Sequence, residues 1–183
     1  MIDAAAAFVH FVRNNKYDVE SSFNHNCVVK KSSKIKGYVP SHLEISGLAR
    51  AGCNVNEIVV HAFKIAHIMG VHFSAGEWGS FPRCGSVVTC VINRRSVYGR
   101  VSRFLRVEGD VCPGYAVVDW FGAPTYPFAH PLVVKVEDDG SRLDREIGKV
   151  VRVGQIDPSS VVVLPHGDHY FMLRQSGYDT VRA

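Results

Sequence analysis

The sequence predicts a mainly β protein, a small antiparallel β-barrel with a short N-terminal helix. Three observations predict it. Short apolar runs rich in β-branched residues recur from residue 57 onward, and clusters of Gly, Pro, Asp and Asn separate them. No amphipathic stretch of ten residues or more lies between consecutive runs, as the crossovers of a parallel sheet would require.

The elements follow in chain order. Residues 3–14 are alanine-rich, with Phe8, Val9 and Val12 at helical spacing, and predict a short helix. The apolar patch at 4–9 has no basic residue before it, and His10 and Arg13 close it too early for a membrane span. A starting helix is therefore expected rather than a signal peptide. Residues 15–56 carry Asn, Ser, Lys and Gly with isolated apolar pairs, among them Cys27-Val28-Val29. They read as a loop-rich connector with one or two weak strands.

Residues 57–73 fit a period of 3.6 or, in parts, of 2; the β-branched content and the interruption at Gly70 favour strand. Stronger runs follow at 87–92, 97–107, 115–121, 132–136, 150–153 and 161–164, with an edge strand at 169–173. Asn93-Arg94-Arg95, Glu108-Gly109-Asp110 and Gly122-Ala123-Pro124 supply turns. Within 97–107, alternation places Gly99, Val101, Leu105 and Val107 on one face and Tyr98, Arg100, Ser102, Phe104 and Arg106 on the other. Arg103 then falls on the apolar face, which predicts a bulge or register shift beside it. The resulting division is an N-terminal helix and basic connector over 1–55 and a β-barrel domain over 56–183.

Composition bounds the function classes. With 46% hydrophobic and 21% charged residues, a chain of 183 residues is apolar enough to fold around one core. The five cysteines are odd in number and lack CxxC spacing, so reduced intracellular thiols are expected rather than a disulfide framework or a zinc knuckle. A net charge of +4 is modest, but its placement is uneven. Lys30, Lys31, Lys34 and Lys36 lie close together, and Arg94, Arg95, Arg100, Arg103 and Arg106 form a second group. The acidic counterweight is Glu137, Asp138, Asp139, Asp144 and Glu146, of which the run Asp138, Asp139 and Asp144 reads as a turn.

No assembled catalytic motif is visible. The nine histidines include no HExxH or HxH, and neither a GxSxG elbow nor a Walker A or GxGxxG loop occurs. A non-catalytic protein without metal or cofactor is expected. The alternative is a small metal-dependent hydrolase using His166, Asp168 and His169 of the HGDH loop, although two solvated histidines on a surface loop are the simpler reading.

Two binding surfaces are candidates. Trp120, Tyr126 and Phe128 offer aromatic faces to a peptide or a methylated ammonium group. Trp120 and Phe121 should point to opposite faces, so at least one fills the core, whereas Tyr126 and Phe128 lie on a proline-rich loop. Arg100 and Arg106 should project from one face and, with Arg94, Arg95 and the lysines at 30, 31, 34 and 36, could meet phosphates. The plainer account of such arginines is a solvated strand edge that discourages edge pairing.

The order Val87-Val88-Thr89-Cys90-Val91, then Tyr98-Gly99-Arg100-Val101-Ser102-Arg103-Phe104-Leu105, then Tyr115-Ala116-Val117-Val118-Asp119-Trp120-Phe121 resembles the small β-barrel tail of large eukaryotic DNA-transposon proteins, itself similar to bromo-adjacent homology (BAH) and SH3-like modules. Gly70-Val71-His72-Phe73 with Glu77-Trp78 is similar to the segment before that tail, and 155–162 to its closing strands. The resemblance covers about residues 58–164. It implies a nuclear, chromatin- or DNA-associated interaction module, transposon-derived and without its own catalysis, whose partner is nucleic acid or a histone or other protein peptide, with no membrane. The transposase core that would precede such a tail is absent from these residues. A purely structural protein-protein pairing domain is the remaining alternative.

Overall fold

The computed structural model describes residues 27–56, 58–69, 71–75, 86–112, 114–125, 133–137, 139–157, 161–166 and 169–174. The helix expected at 3–14, together with Cys84, Tyr126, Phe128 and Asp168, lies outside them. The described chain is mainly β with antiparallel sheets and two short helices. Its elements are β1 (Cys27–Val29), α1 (His42–Arg50), β2 (Val60–Phe63), β3 (Ile65–Ile68), β4 (Val71–Ser74), β5 (Val87–Ile92), β6 (Arg95–Val107), β7 (Tyr115–Trp120), β8 (Val133–Glu137), α2 (Ser141–Ile147), β9 (Val150–Arg152), β10 (Ile156–Asp157), β11 (Val161–His166) and β12 (His169–Arg174).

Three sheets form. The central one runs β10-β5-β6-β7-β9, and β2 extends it by pairing with the second half of β6. The others are β1-β3-β4 and β11-β12-β8. The outer strands β9 and β10 of the central sheet are joined by the single 3-10 turn Val153–Gln155, so Arg152 and Ile156 lie no more than about 14 Å apart. The sheet is therefore strongly curled. Its edges do not pair with each other, so it curls toward a barrel without closing into one.

Strand β6 organises the core. Its pairing with β7 shifts register between Val101 and Arg103, leaving Ser102 as the extra residue of a bulge, as the misplaced Arg103 predicted. The bulge also corrects the expected faces. A two-residue period carried straight through would keep Val101 with Leu105, but the inserted residue inverts everything after it. Phe104 instead joins Val97, Val101, Val118 and Trp120 on one side, while Leu105 and Val107 turn to the other with Val60, Tyr115 and Val117. Tyr98 packs with Phe121, Val134 and Met172 under the third sheet.

Residues 57–73 form three strands, as the β-branched content favoured. The stretch read as a loop-rich connector contributes more than weak strands. Cys27–Val29 pairs with β3, and α1 buries Leu48 against Val150 and Leu105. A capping box starts that helix: Glu44 N–H donates to Ser41 Oγ at 3.3 Å while Ser41 N–H donates to Glu44 Oε2 at 2.7 Å. The acidic stretch read as a turn is partly helical, because α2 places Leu143 and Ile147 four residues apart against the core and leaves Arg142, Arg145 and Glu146 in solvent.

Candidate functional site

A cleft of about 730 Å³ opens between the β5–β6 hairpin, the segment after β7 and helix α2. The hairpin wall is set by its turn. Asn93 and Arg94 both take positive φ, 50° and 63°, and Ile92 pairs with Arg95, which defines a two-residue loop of the mirror-image kind that matches strand twist. That turn holds Arg94 and Arg95 exposed at the cleft rim, with Val97 below them in the core. Gly122 N–H donates to Glu137 O at 2.8 Å and ties the second wall to the third sheet.

Helix α2 is fastened at both ends. Gly140 lies so close to β7 that a Cβ there would overlap the Trp120 carbonyl oxygen. At the other end Trp120 Nε1–H donates to Gly148 O at 2.6 Å, and Lys149 bridges Asp119 at 2.7 Å and Asp144 at 3.2 Å. The Ser141 backbone N–H and hydroxyl hold the Asp139 carboxyl below its ordinary range. The finished cleft presents Arg94, Arg95 and Arg142 beside Glu137, Asp139 and Glu146, around an apolar floor of Val97, Leu143 and Pro124. Such walls suit a chain carrying both signs of charge and one apolar side chain.

The sequence-predicted residues are distributed differently from the expectation. Trp120 is 4% exposed and packs into the main core, so its ring faces no ligand; Phe121 is buried on the opposite side of the strand. Tyr126 and Phe128 follow the cleft residue Pro124 in sequence but lie outside the described residues. Arg100 and Arg106 do not share a face, because the bulge intervenes between them. Arg100 lies over the rings of Phe121 and Tyr170, 5.0 and 5.5 Å from their centroids, whereas Arg106 pairs across β2 with His61.

The lysines gather elsewhere. Lys34 bridges to Phe63, which pairs with Phe104, and Lys30 N–H donates to Ile65 O. Lys34 and Lys36 are exposed, Lys31 falls in the short 3-10 turn Lys31–Ser33, and exposed Lys64, which the sequence reading missed, adjoins them. From Arg95 to Phe104 is nine residues of strand, about 30 Å, so the lysines and the hairpin arginines form two patches rather than one surface.

Chemistry elsewhere is limited. Burial pushes the Cys27 and Cys90 thiols up to about 12 and Cys53 up to about 11, so these thiols stay protonated at neutral pH. Among the described residues no three His, Cys, Asp or Glu side chains group as a metal site. His166 and His169 are the last register pair of the β11–β12 hairpin, with Asp168 outside the described residues. No described helix is long and apolar enough to cross a membrane. Comparison with protein-family models, curated proteins and solved structures gave no match.

Proposed function

We infer that the protein is a non-catalytic interaction module and that the cleft between the β5–β6 hairpin and α2 receives an extended peptide of a protein partner. The observation that carries this reading is the presence of three arginines and three carboxylates together around an apolar floor. A peptide of mixed charge satisfies both signs, while a phosphate backbone would meet Glu137, Asp139 and Glu146 as repulsion. The separation of the two basic patches favours a peptide over nucleic acid for the same reason. The likeness to BAH-type tails supports the same class and suggests chromatin and the nucleus as the setting, with a histone tail as the peptide of matching chemistry.

Fluorescence polarisation against an array of histone-tail and other mixed-charge peptides tests the reading. Arg95 and Arg142 are exposed, so Arg95→Glu and Arg142→Glu should fold normally and each weaken a bound peptide by about tenfold. The reading fails if no peptide binds above background, or if both charge reversals bind as the parent does. Tight binding to duplex DNA that falls steeply with salt would replace it with the nucleic-acid reading.

A further inference from the structure

The geometry points to a second site, independent of the cleft: a divalent transition-metal site formed by His67 and His72 on the β3–β4 hairpin. The two residues are direct cross-strand partners, and His72 Nδ1 lies 3.2 Å from His67 Nε2 with the rings at 74°. Two imidazole nitrogens bound to one zinc at about 2.0–2.1 Å and separated by that 3.2 Å subtend about 100–106° at the metal, near the tetrahedral value. The strands therefore already hold the two nitrogens at the spacing a metal needs.

The surroundings divide the roles. His67 is 4% exposed, and its burial, with His72 and Lys30 nearby, keeps the ring in the neutral form that ligates metals. His72 is exposed and leaves the remaining coordination positions open to water or to a donor from a bound partner. In the metal-free pair one ring N–H donates to the other ring. On binding, that proton passes through solvent to the second nitrogen of its own ring, and both facing lone pairs turn to the metal. Lys30 opposes a cation here as it opposes a proton, so removing its charge should tighten the site.

Titration of the whole chain with zinc sulfate, using a competing chromophoric chelator and ring nitrogen NMR, tests this. One equivalent should bind with shifts in the His67 and His72 ring nitrogens. His72→Ala should weaken it by about tenfold or more, Lys30→Gln should strengthen it, and His166→Ala, in the other hairpin, should leave it unchanged. The proposal is overturned if zinc moves only other histidines, if His72→Ala binds like the parent, or if millimolar zinc leaves both rings unshifted. Because the NMR readout uses the unmutated chain, a misfolded variant cannot rescue or sink it.

Discussion

Glu44 does two jobs at the start of α1. Its carboxylate closes the capping box with Ser41, and it reaches Arg103 Nε at 3.5 Å, which itself lies over the Tyr38 ring. Burial works against its ionisation, but hydrogen bonds from the Ser41 backbone N–H and hydroxyl, with the nearby Tyr38 side chain and the Arg103 charge, outweigh that and hold it below its ordinary 4.5. A carboxyl lowered on folding stabilises the protein above its unfolded value, and that stabilisation is lost as pH falls through the folded value. Glu44→Gln keeps the shape and removes the charge. It should cost about 1–2 kcal/mol in denaturant unfolding at neutral pH, since Arg103 loses its partner. The difference from the parent should shrink as pH drops below the ordinary carboxylate range. A difference constant with pH would show that the ion contributes nothing beyond the cap.

At the scale of elements, close approach by glycine decides where α2 lies. Gly140→Ala places a methyl against the Trp120 carbonyl, so the first turn of α2 must move away from β7. The variant should lose about 1–3 kcal/mol of stability and, because Arg142, Leu143 and Glu146 shift with the helix, several-fold in peptide affinity. Unchanged affinity in a folded Gly140→Ala protein would separate the cleft from the binding site. The strands were legible in the sequence because half-buried strands write their burial as alternation: 87–92 matches β5 to the residue, and the misfit of Arg103 located a real bulge. The helices were not. In α1, Leu43 is exposed and Gly47 is required against Val150, which breaks the apolar stripe; the overlooked signal was Ser41-x-x-Glu44. Helix α2 turns only Leu143 and Ile147 inward, too few to stand out among its charges. The cleft was hidden for a different reason: its walls come from 94–97, 122–124 and 137–146, stretches that only the fold brings together.

At the scale of the whole molecule, one strand belongs to every core cluster. Val97, Val101 and Phe104 of β6 enter the first, Leu105 and Val107 the second, and Tyr98 the third. Its first half pairs with β5 and its second with β2, while β7 lines the other edge across the bulge. Opening either half therefore exposes apolar surface in more than one cluster. This arrangement predicts a single cooperative unit. In native-state hydrogen exchange, the slowest amides of the two halves of β6 should open with the same free energy and the same denaturant dependence, equal to those of global unfolding. Amides in β4 and in the β11–β12 hairpin, which lie in sheets outside the central one, should open at lower free energy. A second half of β6 that exchanged through its own smaller opening would mean that the bulge at Ser102 divides the protein into two folding units. The α1 segment and β2 would then form one, and the cleft with its hairpin the other.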